Sequence, residues 1–212
     1  MRVLNPNQCS FSETPLSVDN IRFVCNQSAH ARVRSNSMTS CRMADTATIL
    51  VLGLGNTLLS DDGVGVHVVT SLQQTTRHDD NIIFVDGGTI GLNLLPDVEA
   101  ANGLILVDAS EIGATPGTVA TFEGAAMDAQ LGGKKRTPHE VAAFDLIATA
   151  SLLGRCPQLR ALVAVQPQSV TWGLEPTAPV AAAIPAAERA VSELLHRWRA
   201  DAGEAATSGA ET

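Results

Sequence analysis

The sequence predicts an α/β fold: a three-layer sandwich with a central, twisted, mostly parallel five-stranded sheet, one edge strand antiparallel, flanked by helices. Two observations predict it. Apolar runs without alternation recur along the chain, as is typical of strands buried on both faces, and amphipathic stretches of helical spacing separate most of them. Strands that alternate with helices imply parallel pairing and right-handed crossovers. The 212 residues, 45% of them hydrophobic, are enough for one domain with its own core.

The first two predicted elements of the core are a strand and a helix. Thr48–Gly53 is a continuous apolar run and is predicted as a buried strand. Gly63–Thr76 is predicted as a helix, because Val64, Val68 and Leu72 fall on one face at helical spacing.

The next two strands are predicted at Asn81–Asp86 and Gly103–Asp108, because NIIFVD and GLILVD are again apolar without alternation and therefore buried. Between them, Gly91–Ala101 is predicted as a short helix. Its inward residues are expected to be Leu92, Leu95 and Val98.

The turn signal Pro116-Gly117 precedes a predicted strand at Thr118–Glu123. Because this strand follows its predecessor without a helix, we expect it to be the antiparallel edge strand. The segment Ala125–Arg136, which contains glycine and lysine, is predicted as a loop.

Three further elements and a loop complete the core. Pro138–Leu153 is predicted as a helix, Leu159–Gln166 as the last strand and Gln166–Pro176 as a loop. The last helix is expected to end near Arg199, with Pro185 either kinking it or marking its start. The apolar faces are expected to contain Val141, Phe144, Ala148 and Leu152 in the first helix, and Ala187, Ala190, Val191, Leu194, Leu195 and Trp198 in the second.

The two ends of the chain differ from the core. Residues 1–43 lack periodicity and are interpreted either as a disordered extension or as residues upstream of a true start at Met43; the strand that begins soon afterwards favours the second. Residues 44–200 are predicted to form the single α/β domain, and residues 201–212 a flexible tail.

Composition excludes several classes of partner. A net charge of −8 argues against nucleic-acid binding, which requires a basic surface. No apolar run reaches the roughly 18 residues of a membrane helix, so no membrane partner is expected. Four cysteines without motif spacing indicate a reduced, cytoplasmic protein.

Carboxylates follow three consecutive predicted strands. Asp61 and Asp62 come after the first, Asp86 ends the second and Asp108 ends the third. Parallel strands about 4.8 Å apart would bring these side chains close enough to share one cation. The alternative is that each aspartate caps a helix or forms a turn, which is the commoner role for a single one. The recurrence at three strand ends favours a site.

An imidazole is predicted near the same edge. The run Thr137-Pro138-His139-Glu140 fits a capping box, which puts His139 in the first turn of a helix. There the helix dipole disfavours imidazolium and keeps a ring nitrogen available for a metal. Two carboxylates and one imidazole suit zinc, nickel or iron(II). His67, on the first helix, is not expected to be a ligand.

Six motifs occur in order between about Thr48 and Trp198: LGLGNTLLSDDGVGVHVV, DGGTIGLNLLP, LILVDA, PGTV, TPHEVAAFDLIA and VAVQPQSVTWGLEPT. In these motifs the chain resembles the hydrogenase maturation endopeptidases, which process the large subunit of nickel–iron hydrogenases. The resemblance implies that the catalytic, metal-binding residues are Asp62, Asp108 and His139. It also implies that Asp61 and Asp86 have supporting roles, Asp86 in activity or substrate recognition.

The resemblance implies an endopeptidase that recognises nickel in a hydrogenase large-subunit precursor and removes its C-terminal peptide. The divalent metal, expected to be nickel, would then arrive with the substrate, and would polarise the scissile carbonyl or activate water. The loop Gly87-Gly88-Thr89 either lines the substrate channel or forms a plain tight turn. Gln166 either contributes to the site or packs.

Two other functions are compatible with parts of the sequence. A non-catalytic, nickel-sensing assembly factor for hydrogenase would use the same ligands. A nucleotide-binding α/β protein would explain Gly53-x-Gly55 after a strand and Asp86 at the end of the next. Leu58, however, replaces the third glycine of the dinucleotide motif, so no nucleotide cofactor is expected.

Overall fold

A computed structural model describes residues 48–76, 79–89, 92–133 and 138–208, with side chains described in the last stretch for residues 141–201. The predicted N-terminal segment, residues 1–43, lies outside the described residues. The sheet has five strands. They are β1 Ile49–Leu54, β2 Ile82–Gly88, β3 Gly103–Ala109, β4 Val119–Glu123 and β5 Leu159–Val165.

The helices are α1 Val64–Thr75, α2 Leu95–Ala100, α3 Ala125–Leu131, α4 Pro138–Leu152 and α5 Ala178–Ser208. Two 3-10 turns, Ser60–Gly63 and Leu92–Leu94, precede α1 and α2. The strand order is β2-β1-β3-β5-β4. All neighbours pair in parallel except β4, which is antiparallel to β5. The predicted fold class, including the antiparallel edge strand, is therefore confirmed.

The two faces of the sheet bury different apolar residues. The α1/α5 face, covered by these two helices, carries β-branched residues, whereas the α4 face, covered by α2, α3 and α4, carries mostly leucines. Because successive side chains point to opposite faces, a continuous apolar run fills both layers at once. The α1/α5 face contains Ile49, Val51, Ile105, Val107, Val163 and Val165, and the α4 face Leu50, Leu52, Leu104, Leu106 and Leu162.

β2 is not the buried strand that its apolar run predicts. It lies at an edge of the sheet, and every residue in it is at least partly exposed, Ile83 by 46%. An apolar run shows that side chains can pack on both faces; it does not show whether a strand has a neighbour on each side.

The segment predicted as a loop contains the helix α3. Met127 and Leu131 are buried against the α4 face, and Asp128 pairs with Arg160 at 3.0 and 2.6 Å. This hydrogen-bonded carboxylate raises the pKa of the Arg160 guanidinium above its ordinary value. Tertiary contacts, absent from the local pattern, stabilise this short helix.

The buried faces of two other helices differ from expectation. In α4 the buried residues are Ala143, Leu146, Ile147 and Ala150, whereas Val141 and Leu152 are exposed. The other two predicted residues, Phe144 and Ala148, are partly buried, and Phe144 packs against the core. The helix is apolar around most of its circumference, so spacing alone identified the buried face only in part. Of the three inward residues expected near α2, Val98 is buried, but Leu92 is 60% exposed in the preceding turn.

The faces predicted for α1 and most of α5 are confirmed. Val64, Val68 and Leu72 are buried, as are five of the six residues expected in the last helix; the sixth, Ala190, is partly buried. α5 begins at Ala178, so Pro185 lies inside it, and continues past Arg199 to Ser208. None of the helices in the described ranges combines the length and the apolarity needed to cross a membrane.

α1 packs unusually close to the sheet at its first turn. A Cβ atom added to Gly65 would lie 2.1 Å from the carbonyl oxygen of Val107 and 2.5 Å from that of Leu54. One added to Gly53 would lie 2.4 Å from the Gly65 carbonyl oxygen. The helix therefore starts directly against the carboxyl ends of β1 and β3, which sets the position of the preceding loop.

We predict that Gly65→Ala lowers the free energy of unfolding by about 1–3 kcal/mol, because the new methyl group forces α1 away from the two strands. Urea unfolding followed by circular dichroism measures this. Thr70→Ala, at an exposed position of the same helix, is the matched control and should change stability by no more than about 0.5 kcal/mol. Equal effects of the two substitutions would contradict the close packing.

Candidate active site

The candidate site lies where the parallel strands end. The turn before α1, the end of β3 and the loop that follows β5 all meet at this carboxyl edge. In open α/β sheets ligands bind at this edge, because the loops there are free to supply side chains while the strands fix their positions.

Asp62 is 4% exposed and lies in the 3-10 turn before α1. The backbone N–H of Asn56 donates to Asp62 Oδ2 at 2.9 Å, which orients the carboxylate. Gly55 has φ +122°, and a Cβ atom there would lie 1.8 Å from the Asp62 carbonyl oxygen. Glycine at position 55 therefore lets the loop backbone pass directly against the turn that carries Asp62.

Asp108 is fully buried near the end of β3. It continues the alternation of Leu104 and Leu106 and so belongs to the α4 face. The preceding residue, Val107, contributes the carbonyl oxygen against which Gly65 packs. The contact between α1 and β3 thus sets the turn of Asp62 beside the strand end that carries Asp108.

His139 lies in the first turn of α4, as predicted. Its side chain, and the capping residue Thr137, are outside the described residues. α4 leads into the amino end of β5, so it runs antiparallel to the parallel strands and begins at their carboxyl edge. It also contacts the 3-10 turn after β2 and packs on the same face as Asp108.

Asp61 is a fully buried structural anchor. Its Oδ2 accepts hydrogen bonds from the backbone N–H groups of Gln168 and Ser169, both at 2.8 Å, and from Thr177 Oγ1 at 3.0 Å. Its Oδ1 accepts from the Thr177 N–H at 2.6 Å. One carboxylate therefore fixes the loop after β5 and the start of α5 to the β1–α1 loop.

Asp86 does not join the other carboxylates. It pairs with Gly53 and continues the alternation of Ile82 and Phe84, which pack on the α1/α5 face, opposite to the α4 face of Asp108. Within the described ranges no three His, Cys, Asp or Glu side chains form a group that could hold a metal. The hypothesis that carboxylates from three strand ends share one cation is therefore wrong, because strand alternation separates them.

The segment Gly87-Gly88-Thr89 is not a separate loop, because Gly87 and Gly88 are the last residues of β2 and a turn begins at Thr89. Asp86 Oδ1 accepts the N–H of Gly88 at 2.9 Å, and the Gly88 carbonyl oxygen accepts the N–H of Gly55 at 2.9 Å. Gly87 is partly exposed and Thr89 is exposed. The end of β2 is thus joined to the loop that carries Asp62, and Thr89 is exposed to solvent.

Gln166 is 4% exposed and holds the loop between β3 and β4. Its Oε1 accepts from the N–H groups of Ile112 at 3.0 Å and Ala114 at 3.2 Å, and its Nε2 donates to Glu111 Oε1 at 3.0 Å. Of the two alternatives for Gln166, these bonds support a packing role over a contribution to the site.

Sequence reasoning missed two positioning residues. Asn56 supplies the N–H that orients Asp62, and its Oδ1 accepts the Leu58 N–H at 3.0 Å. Thr177 connects Asp61 to the start of α5. An Asn after glycine is a local turn signal that could have identified the first; the second joins residues 116 positions apart and has no local signal.

Comparisons with known proteins agree on one family. A family model described as hydrogenase maturation protease matches residues 66–194. The hydrogenase expression/formation protein HupD of Rhizobium leguminosarum bv. viciae is 36% identical over 151 residues, covering 71% of this chain and 75% of that protein. HupD of Rhodobacter capsulatus is 44% identical over 119 residues, covering 56% and 57% respectively. The hydrogenase maturating endopeptidase HybD from Escherichia coli superposes with TM-score 0.68 and 33% identity, covering 71% and 93%.

We predict that Asp61→Asn lowers the free energy of unfolding by about 1–3 kcal/mol, because an amide NH₂ replaces an acceptor oxygen opposite buried N–H groups. Amide hydrogen exchange at Gln168, Ser169 and Thr177 should accelerate. The amides of Ile112 and Ala114, which bond to Gln166, are the internal control and should exchange as in the wild type. Unchanged exchange at the first three would show that Asp61 does not hold the loop.

Proposed function

The chain belongs to the hydrogenase maturation protease family, and from that premise we propose an endopeptidase that recognises nickel in a hydrogenase large-subunit precursor and removes its C-terminal peptide. The observation that carries the proposal is a pair of buried carboxylates, Asp62 and Asp108, supplied by adjoining segments at the carboxyl edge. Buried carboxylates are stabilised by a cation. The four cysteines without motif spacing favour a cytoplasmic setting for this step.

We assign His139 as the third ligand. Its place in the first turn of α4, on the face to which Asp108 belongs, supports this assignment. The N-terminal end of a helix disfavours imidazolium, so a neutral ring is available as a donor. Two carboxylate oxygens and one imidazole nitrogen suit nickel and leave coordination positions for groups of the substrate.

Each proposed ligand has a distinct task. Asp62, oriented by the Asn56 N–H, and Asp108, fixed at the end of a central strand, supply negative charge in a water-poor setting. They bind the nickel that the precursor carries and thereby position the adjoining peptide bond. Nickel bound there supplies Lewis acidity, either to the scissile carbonyl or to an attacking water. The segment Asp86–Thr89 is proposed to contact the precursor chain.

Because the nickel belongs to the substrate, the isolated protein is expected to bind metal weakly. Its core, in the described residues, is built from apolar packing on both faces of the sheet. A site with three proposed ligands would distinguish a loaded precursor from an empty one, because only the loaded precursor brings a cation for these ligands to bind. This selectivity would prevent premature removal of the C-terminal peptide.

We predict that Asp62→Asn, Asp108→Asn and His139→Ala each abolish processing while the protein remains folded. Each removes a ligand charge or a donor atom from the proposed nickel site. The assay incubates each variant with nickel-loaded precursor and measures the mass lost from its C-terminus. Near-normal cleavage by any one variant would remove that residue from the site.

His67→Ala is the matched control, since His67 lies on α1 and is partly buried but is not a proposed ligand. It should process precursor at nearly the wild-type rate. If wild-type protein binds loaded precursor and no mass is lost, the non-catalytic nickel-sensing factor becomes the better description.

We predict that precursor prepared without nickel is not cleaved and that loading it restores cleavage. Treating the isolated peptidase with a chelator should leave its thermal unfolding midpoint unchanged, because both faces of the described sheet are covered by apolar packing. Mass spectrometry and circular dichroism measure the two outcomes. Equal cleavage of loaded and empty precursor would contradict nickel recognition while leaving the peptidase activity intact.

A further inference from the structure

Four large apolar side chains stand exposed beside the candidate site. Trp172 is 82% exposed, Leu174 72%, Val170 50% and Leu58 45%. None of them enters either core cluster of the described residues. Exposed apolar groups of this size, when they are contiguous, usually mark an interaction surface. We call these four residues the apolar ridge.

The ridge is contiguous because two loops pair. Gly173 donates its N–H to the Leu58 carbonyl oxygen at 3.1 Å, and its own carbonyl oxygen accepts the Ser60 N–H at 2.8 Å. Leu58 therefore lies beside the two residues that flank Gly173. Val170, Trp172 and Leu174 lie on one loop, whose backbone bends at residues 171–172 and 174–175, and all three side chains are exposed.

The other side of that segment is held in place. Ser169 and Thr177 bond to the buried carboxylate of Asp61, and the carbonyl oxygen of Thr171 accepts Ser60 Oγ at 2.9 Å. A side chain at Gly173 would collide with Ser60 Oγ at 2.3 Å. These hydrogen bonds fix the loop, and the apolar side chains of the ridge remain at the surface instead of packing in the core. A rigid loop with exposed apolar side chains is typical of a preformed docking surface.

The ridge is continuous with the candidate site. Leu58 lies four residues before Asp62 on the same loop, and Asn56 contacts both, donating to Asp62 Oδ2 and accepting the Leu58 N–H. The ridge therefore adjoins the loop that carries Asp62. The segment 166–177 has a single charged residue, Glu175, so its exposed apolar side chains are not surrounded by charges of the same loop.

We infer that the apolar ridge docks an apolar surface of the large-subunit precursor next to its C-terminal segment. This rests on the proposed function. One tryptophan buries about 150–250 Å² and a standard interface about 800 Å² per partner, so the ridge supplies the anchors of a larger contact. Tryptophan is the residue most typical of such binding anchors.

The test compares Trp172→Ser with Leu152→Ser. Leu152 is 89% exposed at the C-terminus of α4, which lies towards the opposite edge of the sheet, so the control removes a similar exposed apolar group away from the site. Binding of nickel-loaded precursor is measured by surface plasmon resonance, and KM and kcat are measured in the cleavage assay. The thermal unfolding midpoint checks that both variants fold.

Trp172→Ser should raise Kd and KM at least about 30-fold, with kcat at saturating precursor within about twofold, since a buried tryptophan anchor contributes to binding rather than to the chemical step. Leu152→Ser should leave Kd, KM and kcat within about twofold of wild type. Trp172→Phe, which keeps an aromatic ring, should recover most of the affinity, and Leu174→Ser should weaken binding in the same direction as Trp172→Ser.

Unchanged Kd in Trp172→Ser would overturn the inference while leaving the peptidase proposal intact. A change confined to self-association, detected by light scattering, would also overturn it, since the ridge would then contact a second copy of this chain. Wild-type binding without cleavage, in contrast, would overturn the peptidase proposal, and the Kd comparison would still decide the docking role of the ridge.

Discussion

The structure depends on the close contact between the first turn of α1 and the ends of β1 and β3. Gly65 lies against the carbonyl oxygens of Val107 and Leu54 at a distance that no side chain tolerates. Because Asp62 precedes Gly65 by three residues and Asp108 follows Val107 directly, one packing contact fixes the relation between the two buried carboxylates. The glycine is therefore as much a part of the site as the acids.

A second constraint organises the surface around that contact. Asp61, adjacent to Asp62, uses both of its oxygens to hold the loop after β5 and the first residue before α5. The two neighbouring aspartates thus have separate tasks. Asp61 holds the loop after β5 beside the site, and Asp62 is a proposed ligand of the substrate's metal. The loop after β5 also contains Trp172 and Leu174. Their side chains are exposed, while backbone hydrogen bonds hold the loop against the β1–α1 loop.

The sequence predicted the central elements well because their patterns have local causes. Apolar runs identified β1 and β3, and helical spacing identified the buried face of α1. It failed where the deciding contact is distant. The face of α4 that packs on the sheet could not be chosen from spacing, because the helix is apolar almost all round. The short helix α3 is stabilised by distant contacts, namely the burial of Met127 and Leu131 and the pair of Asp128 with Arg160, 32 positions away. Burial, not composition, decides such cases.

The sequence by itself determined the fold class, the succession along the chain of the five strands and of every helix except α3, and the glycine-rich loop with its acidic pair, because each depends on residues close together in the chain. Only the tertiary structure decided which acids can act together. Strand alternation turns Asp86 to the face opposite Asp108, and hydrogen bonds from residues more than one hundred positions away occupy Asp61. These distinctions depend on the face of the sheet on which a side chain lies and on the distant N–H groups that donate to it. The local spacing of residues in the sequence determines neither.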